Sequence, residues 1–315
     1  MNQITSRFAP SPTGLLHLGH AWSAIVAHDR AREVGGRFLL RIEDIDGTRS
    51  REEYVGAIER DLAWLGLGWD GPVVRQSDRL ALYDAALARL KGMGLLYPCF
   101  CTRAEIAASL SAPHGDEGPV YPGTCRHLAE DERARRLAEE QHAWRLDMGQ
   151  AIALATSVPA EAGTQGRERD ACDSGLLLPQ EHGREELKWY DELAGTVVAT
   201  PETHGDVILA RKDAPASYHL AVTVDDAAQG VTHVVRGRDL FSATHVHRLL
   251  QAMLGLPVPT YRHHALLTDT NGHRLAKRHG APTLADLRAD YPDGRVLADR
   301  LRRGALPIGF AVAGA

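Results

Sequence analysis

Three short segments carry residue types whose spacing can do chemistry. The first, Arg7-Phe8-Ala9-Pro10-Ser11-Pro12-Thr13-Gly14, runs directly into His17-Leu18-Gly19-His20. Two imidazoles three residues apart, one at a loop end and one on the first turn of a helix, can both donate hydrogen bonds to a triphosphate. Gly19 lets a flat base approach the backbone, and a helix N-terminus adds N–H groups and a dipole that favour an anion. The second segment is Arg41-Ile42-Glu43-Asp44-Ile45-Asp46-Gly47-Thr48-Arg49, at the carboxyl end of a strand, where open α/β sheets place ligand groups. Glu43 there can hold a substrate ammonium; the plainer reading is a solvated charged turn. The third is the basic loop Arg274-Leu275-Ala276-Lys277-Arg278, whose Lys277 can meet phosphate as a point charge or merely face solvent.

Cysteines supply a fourth constellation. Cys99, Cys101 and Cys125 fall close together and Cys172 stands apart. In a reducing compartment such clustering points to metal or catalysis before disulfides, with three buried reduced thiols as the alternative. His114 and His127 are rival ligands, and Cys172 is expected to be a free thiol.

The elements that must position these residues follow from periodicity and punctuation. A strand is expected over Ile4 to Ala9, then the Pro/Gly turn, then a helix from His20 to Val34 ended by Gly35-Gly36, then a buried strand over Arg37 to Ile42. Ser50-Arg51-Glu52-Glu53 fits a capping box ahead of Val55, Ile58, Leu62 and Leu65. A strand at Val73 to Gln76 and a helix through Leu80, Tyr83, Leu87 and Leu90 continue the alternation. Strand character is expected again over Leu220 to Val224 and Val231 to Val235, with a helix from Ser242 to Leu254. Alternating strands and helices argue for a doubly wound parallel sheet with helices on both faces, an α/β fold. From Pro98 to about Gly183 the texture is irregular and reads as an insertion.

The composition is that of a globular chain of 315 residues: 44% apolar, 24% charged, net charge −5. It excludes disordered, collagenous and coiled-coil classes. No run reaches the roughly 18 to 20 apolar residues of a membrane helix and no signal peptide opens the chain, so no membrane partner and a cytoplasmic location are expected. A slight acidic excess leaves nucleic acid open, since phosphate affinity depends on a local patch.

Taken together, the segments resemble the class I glutamyl-tRNA synthetase group. The resemblance rests on the first two segments, Tyr218-His219-Leu220-Ala221-Val222 with Asp225-Asp226, Val234-Val235-Arg236-Gly237-Arg238-Asp239, and the basic loop in the position of the group's Lys-Met-Ser-Lys-Ser loop. It covers roughly residues 4 to 110 and 205 to 280. It implies a Rossmann-type class I catalytic domain that activates L-glutamate with ATP and Mg²⁺. Arg7, Ser11, Glu43, Tyr218 and Arg236 match the amino-acid pocket, with Glu43 on the α-ammonium and Arg236 on the side-chain carboxylate. His17, Gly19, His20 and Lys277 match the ATP site, and His17, His20 and Lys277 are the expected catalytic group. Arg274 and Ala276 depart from the usual Lys and Ser of that loop, which puts its hydrogen bonding in question.

The short members of the group, the glutamyl-queuosine tRNA(Asp) synthetases, fit the length. They activate glutamate without tRNA and transfer it to queuosine at the wobble position of tRNA(Asp). The anticodon stem-loop is then the expected RNA partner and a monomer the expected state. This subgroup holds a structural zinc at Cys-x-Cys and Tyr-x-x-x-Cys, which here are Cys99, Cys101, Tyr121 and Cys125. The implied organisation is a first catalytic half over 1–97, a zinc-bearing insertion over 98–204, a second half over 205–280, and a short helical segment over 281–315 with no anticodon-binding domain. Candidate RNA patches are Arg126, Arg133, Arg135 and Arg136, and Arg295, Arg300, Arg302 and Arg303, against solvated helix faces. Open alternatives are a truncated synthetase charging a tRNA 3′ end with a partner, an inactive synthetase-like binding module, and another small adenylate-forming ligase.

Overall fold

The computed structural model describes residues 3–108, 120–157, 186–269, 282–306 and 310–312. The chain starts with β1 (Thr5–Phe8), α1 (Leu18–Arg32), β2 (Arg37–Ile42), α2 (Glu52–Trp64), β3 (Val74–Arg75) and α3 (Leu80–Gly92). It continues through β4 (Leu96–Cys99), α4 (Arg103–Ala108), α5 (Glu130–Glu139), β5 (Ala143–Leu146) and α6 (Met148–Ser157). Then come β6 (Lys188–Asp191), β7 (Gly195–Val198), β8 (Ile208–Ala210), α7 (Tyr218–Ala228), β9 (His233–Gly237) and α8 (Ala243–Leu254). The last described elements are β10 (Thr260–His264), β11 (Leu267–Asp269), α9 (Leu284–Leu287), α10 (Gly294–Arg302) and β12 (Phe310–Val312).

β1 pairs in parallel with β2 and β2 with β3, while β10 pairs in parallel with β9 and β6. The two ladders meet where the Thr232 N–H donates to the Thr5 carbonyl at 2.9 Å and the Thr5 N–H to Thr232 Oγ1 at 2.9 Å. The spatial order is therefore β3, β2, β1, β9, β10, β6, with β7 antiparallel at the edge. This is the expected doubly wound sheet, and its order reverses between β1 and β9, so a crevice opens at their carboxyl ends. Leu16, Leu18, Ile25, Phe38, Leu40, Ile58 and Leu62 pack the core on the α1 and α2 side. The junction of α1 and β2 depends on Gly35, at φ +65°, and on Gly36, where a Cβ would collide with the Ile4 carbonyl.

Several sequence expectations are corrected. Leu220 to Val224 is helix α7 and not a strand: the Ser217 side chain caps it, and Leu220, Ala221, Val222, Thr223, Asp225 and Asp226 are all buried. A helix covered on nearly every side loses its 3.6-residue polarity pattern and reads as a continuous run. Ser50 does not cap α2, which starts after Arg51 with no side-chain cap. Residues 188–198, placed in the insertion, enter the main sheet through β6, while β8, placed in the second half, pairs with β5 in the antiparallel sheet β4-β5-β8. The terminal segment is not wholly helical, because β12 pairs with β11. Among the described residues, no helix is long and apolar enough to cross a membrane.

Candidate active site

A cavity of about 650 Å³ fills the crevice at the carboxyl ends of β1 and β9. Arg7, Ser11, His17, Gly19, His20, Glu43, Tyr218 and Arg236 all line it, although they come from four separate stretches of chain. Lys277, with Arg274 and Ala276, lies outside the described residues, as do His114 and Cys172.

The two histidines begin α1 in a way their spacing alone does not show. His17 is the N-cap: the Gly19 N–H donates to its Nδ1 at 3.1 Å, and the His17 N–H donates to His20 Nδ1 at 3.1 Å. The pair is a capping box built from imidazoles, with ring centroids 3.8 Å apart. Since both Nδ1 atoms accept, the neutral tautomer of each ring carries its proton on Nε2. A Cβ at position 19 would sit 3.0 Å from His17 Cε1, so glycine there keeps the first turn tight against the ring.

Charge is nearly balanced on the β2 side of the cavity. Arg41 is fully buried; it donates to Asp226 at 2.7 Å and Gln229 at 2.9 Å, and reaches Glu43 at 3.3 Å. Its Nε lies 3.8 Å from Asp225, within Coulombic range but past hydrogen-bond reach. Arg7 donates two bonds to Asp226, at 2.9 and 3.1 Å, and Arg79 pairs with Asp225 at 2.6 Å. Three guanidinium groups thus face Asp225, Asp226 and Glu43. Burial raises the Glu43 carboxyl above its ordinary range, and Arg41 and Arg7 only partly offset it. Burial pulls Asp226 the same way, but there Arg7 and Arg41 prevail and hold it low.

Arg236, on β9, is different. It is 6% exposed, and its acceptors among the described residues are neutral. Its Nε donates to His263 Nε2 at 3.0 Å, Nη1 to the Tyr218 hydroxyl at 3.0 Å, and Nη2 to Thr244 Oγ1 at 2.7 Å. His247 Nδ1 lies 3.4 Å from both Nη atoms. Burial first, and the fixed guanidinium second, push His263 down to about 4 and His247 well below its ordinary value. Sequence reasoning missed Thr244, His247 and His263 because they support Arg236 from α8 and β10 and belong to no contiguous motif.

The cysteines converge at a second place. Cys99, Cys101 and Cys125 put their sulfurs within 4.8 Å of one another. The Tyr121 hydroxyl lies 3.5 Å from Cys99 Sγ and 3.6 Å from Cys101 Sγ. Tetrahedral zinc with bonds of about 2.3 Å to sulfur has ligand edges of roughly 3.7 Å, so the donor set fits that ion. Burial raises the Cys101 thiol to about 11. Against the burial that would raise Cys125 too, the Tyr121 hydroxyl and the Phe100 N–H hold it low. His127 is exposed, and its Nε2 takes a bond from Arg126.

Of the eight candidate RNA arginines, Arg126, Arg135, Arg136 and Arg302 already hold carboxylate partners, and Arg133 holds backbone carbonyls. Arg135 pairs with Glu132 and Glu139, Arg136 with Glu140, and Arg126 with Asp206. Arg133 bonds the Arg126 and Leu128 carbonyls, and Arg302 pairs with Asp29 and Asp299. Helix α5 therefore supplies its own counter-charges.

Comparison with known proteins identifies the family of the chain. The family model for the catalytic domain of class I tRNA synthetases (E and Q) matches residues 3–158 and 176–309. A glutamyl-Q tRNA(Asp) synthetase of Rhodobacter capsulatus is 47% identical over 292 residues, 91% of this chain and 95% of its own. One from Symbiobacterium thermophilum is 45% identical, over 91% of this chain and 81% of its own. Among solved structures, a glutamate tRNA ligase of Elizabethkingia meningosepticum in complex with its amino acid superposes with TM-score 0.66 at 26% identity. The match covers 89% of this chain and 53% of that one, so this chain spans about half of the ligase. The glutamate-tRNA synthetase of Elizabethkingia anophelis gives TM-score 0.67 with the same coverage. The chain belongs to the class I tRNA synthetase family, among the glutamyl-Q tRNA(Asp) synthetases.

Proposed function

We propose that this protein activates L-glutamate with ATP and transfers the glutamyl group to queuosine at the wobble position of tRNA(Asp). The observation that carries the substrate reading is Arg236, a buried guanidinium whose acceptors are neutral while its neighbours Arg7 and Arg41 are matched by carboxylates. A buried cation of this kind is completed by an anionic ligand, and glutamine offers a neutral amide where glutamate offers a carboxylate. Glu43 receives the α-ammonium, whose charge favours the ionised carboxylate against the burial that raises it. Tyr218 donates from the same wall, and Arg7 and Ser11 close the pocket at the end of β1.

ATP lies over Gly19, with the Nε2 side of His17 and His20 toward its phosphates and Lys277 reaching them from its loop. An α-carboxylate oxygen of glutamate attacks the α-phosphorus in line, the bond to pyrophosphate breaks, and glutamyl-adenylate remains. A hydroxyl of queuosine then attacks the acyl carbon, AMP leaves, and an ester forms. No side chain is acylated; the residues align the reactants and offset charge. Bound Mg²⁺ supplies further neutralisation of phosphate charge.

Cys99, Cys101, Tyr121 and Cys125 would hold zinc, whose role there is structural. The RNA partner is the anticodon stem-loop, engaged by a monomer. The test is transfer of labelled glutamate to purified tRNA(Asp) with and without queuosine, after ATP–pyrophosphate exchange in the absence of tRNA has established activation. Label confined to queuosine-containing tRNA(Asp) supports the proposal. Label on tRNA(Glu) supports a synthetase charging the 3′ end, and activation without transfer supports another adenylate-forming ligase.

A further inference from the structure

Behind Arg236, His263 accepts from its Nε and is itself held by Asp191, on a strand outside the sequence motifs. Asp191, the last residue of β6, is 1% exposed, and its carboxylate faces four N–H groups among the described residues. Oδ1 accepts from the Leu193 and Ala194 N–H groups, at 2.8 and 3.0 Å. Oδ2 accepts from the His263 backbone N–H at 3.1 Å and faces His263 Nδ1 at 2.7 Å. A carboxylate that close requires the ring proton on Nδ1, which leaves Nε2 as the bare acceptor that receives Arg236 Nε–H. Trp189, Phe241 and Tyr261 enclose the imidazole, with the Tyr261 ring within 7° of parallel, so its plane is fixed as well.

We propose that Asp191 and His263 are positioning residues for glutamate selectivity: Asp191 sets the tautomer of His263, and His263 thereby aims the Arg236 guanidinium into the cavity. The inference rests on Arg236 as the group that holds the substrate carboxylate. Neither residue touches the ligand cavity itself. The register of β6 on β10 brings Asp191 beside Tyr261, two residues from His263, so the pairing of a strand outside the motifs delivers the anchor.

Asp191→Asn tests the chain with little change in volume. Its single amide oxygen can serve only one of the two donor pairs; kept on the Leu193 and Ala194 N–H groups, it turns the NH₂ toward His263, where that group also opposes the His263 backbone N–H. That NH₂ donates to Nδ1 and moves the ring proton to Nε2, where it opposes Arg236 Nε–H. In ATP–pyrophosphate exchange without tRNA, KM for glutamate should rise about ten-fold, the scale of one lost charge-assisted bond, with KM for ATP unmoved. In a His263→Gln background the acceptor is an amide oxygen with no tautomer to set, so adding Asp191→Asn should raise KM for glutamate no further. An equal rise in both KM values, or the same increment in both backgrounds, would overturn the proposal. Should Asp191→Asn fail to fold, the comparison of His263→Leu with His263→Gln decides: a larger KM for glutamate in the leucine variant is expected, and equal values refute it. Arg236→Cys separates the two levels. If it retains glutamate preference, the reading of Arg236 itself fails. If it loses that preference while Asp191→Asn behaves as wild type, only the positioning role fails.

Discussion

Arg41 and Arg236 are both buried guanidinium groups, and their surroundings assign them opposite tasks. Around Arg41 the carboxylates of Asp226, Asp225 and Glu43 absorb the charge, so its role is to hold α7 against β2. Around Arg236 the acceptors among the described residues are hydroxyl and imidazole groups, and in the proposed function its charge is met by the substrate carboxylate. Arg236→Cys should therefore lower kcat/KM for glutamate about a hundred-fold or more and erase discrimination against glutamine, as exchange assays with both amino acids would show. Asp226→Ala acts at the other pole. It strands Arg7 and Arg41 in the interior, and denaturant unfolding should register a loss of about 3 to 5 kcal/mol. Lys277→Ala should abolish exchange while leaving the unfolding midpoint in place, which separates a phosphate contact from a structural one.

At the scale of elements, helix α7 joins the two tasks. Tyr218 at its first turn reaches Arg236, and Asp225 and Asp226 near its end hold Arg79, Arg7 and Arg41. The run Leu220 to Val224 resembles a strand in one dimension because burial on nearly every side removes the alternation that identifies a helix. The cysteine cluster belongs to the antiparallel sheet of β4, β5 and β8 and its adjoining loops. Its Phe100 N–H donates to Cys125 Sγ at 3.4 Å and its Cys125 N–H to Tyr121 Oη at 2.9 Å. If zinc ties these donors together, chelation should speed amide hydrogen exchange at Phe100 and Cys125 and leave β1 and β2 protected. Unchanged exchange at Phe100 and Cys125 after chelation, with metal analysis finding no zinc beforehand, would count against the metal.

At the scale of the whole molecule, the buried imidazoles among the described residues set the response to acid between about pH 7 and pH 5, above the range in which the paired carboxylates titrate. His219 and His263 lie at about 4, and His247, His264 and His233 are also lowered, in each case first by burial. A histidine with a depressed folded value binds its proton more readily in the unfolded chain, so its contribution is intact above about pH 6.5. It is lost as pH falls toward 4, on the order of 1 kcal/mol per pH unit for each group. Glu43 and Asp61, whose carboxyls burial raises, work in the opposite sense above their ordinary values, but they are fewer. Thermal unfolding midpoints should accordingly fall between pH 7 and pH 5, and a flat or rising profile would contradict the neutral-histidine description of the Arg236 surroundings.

The cavity residues Arg7, Ser11, Glu43, Tyr218 and Arg236 were singled out as a set by family resemblance, whereas local chemistry in the chain was enough to place the alternating elements of the first half, the histidine and glycine turn ahead of α1 and the cysteine group. These are short-range features, set by spacing, turn residues and charge within a few positions. Tertiary structure alone decided that β6 joins the main sheet and β8 the smaller one, since strand partners are chosen by contacts across more than sixty residues of chain. It also decided which arginines are neutralised. Arg7, Arg41 and Arg236 look alike in the sequence, and only folding brings Asp226 to the first two and leaves the third among neutral acceptors, because a buried charge takes its meaning from groups that are distant along the chain.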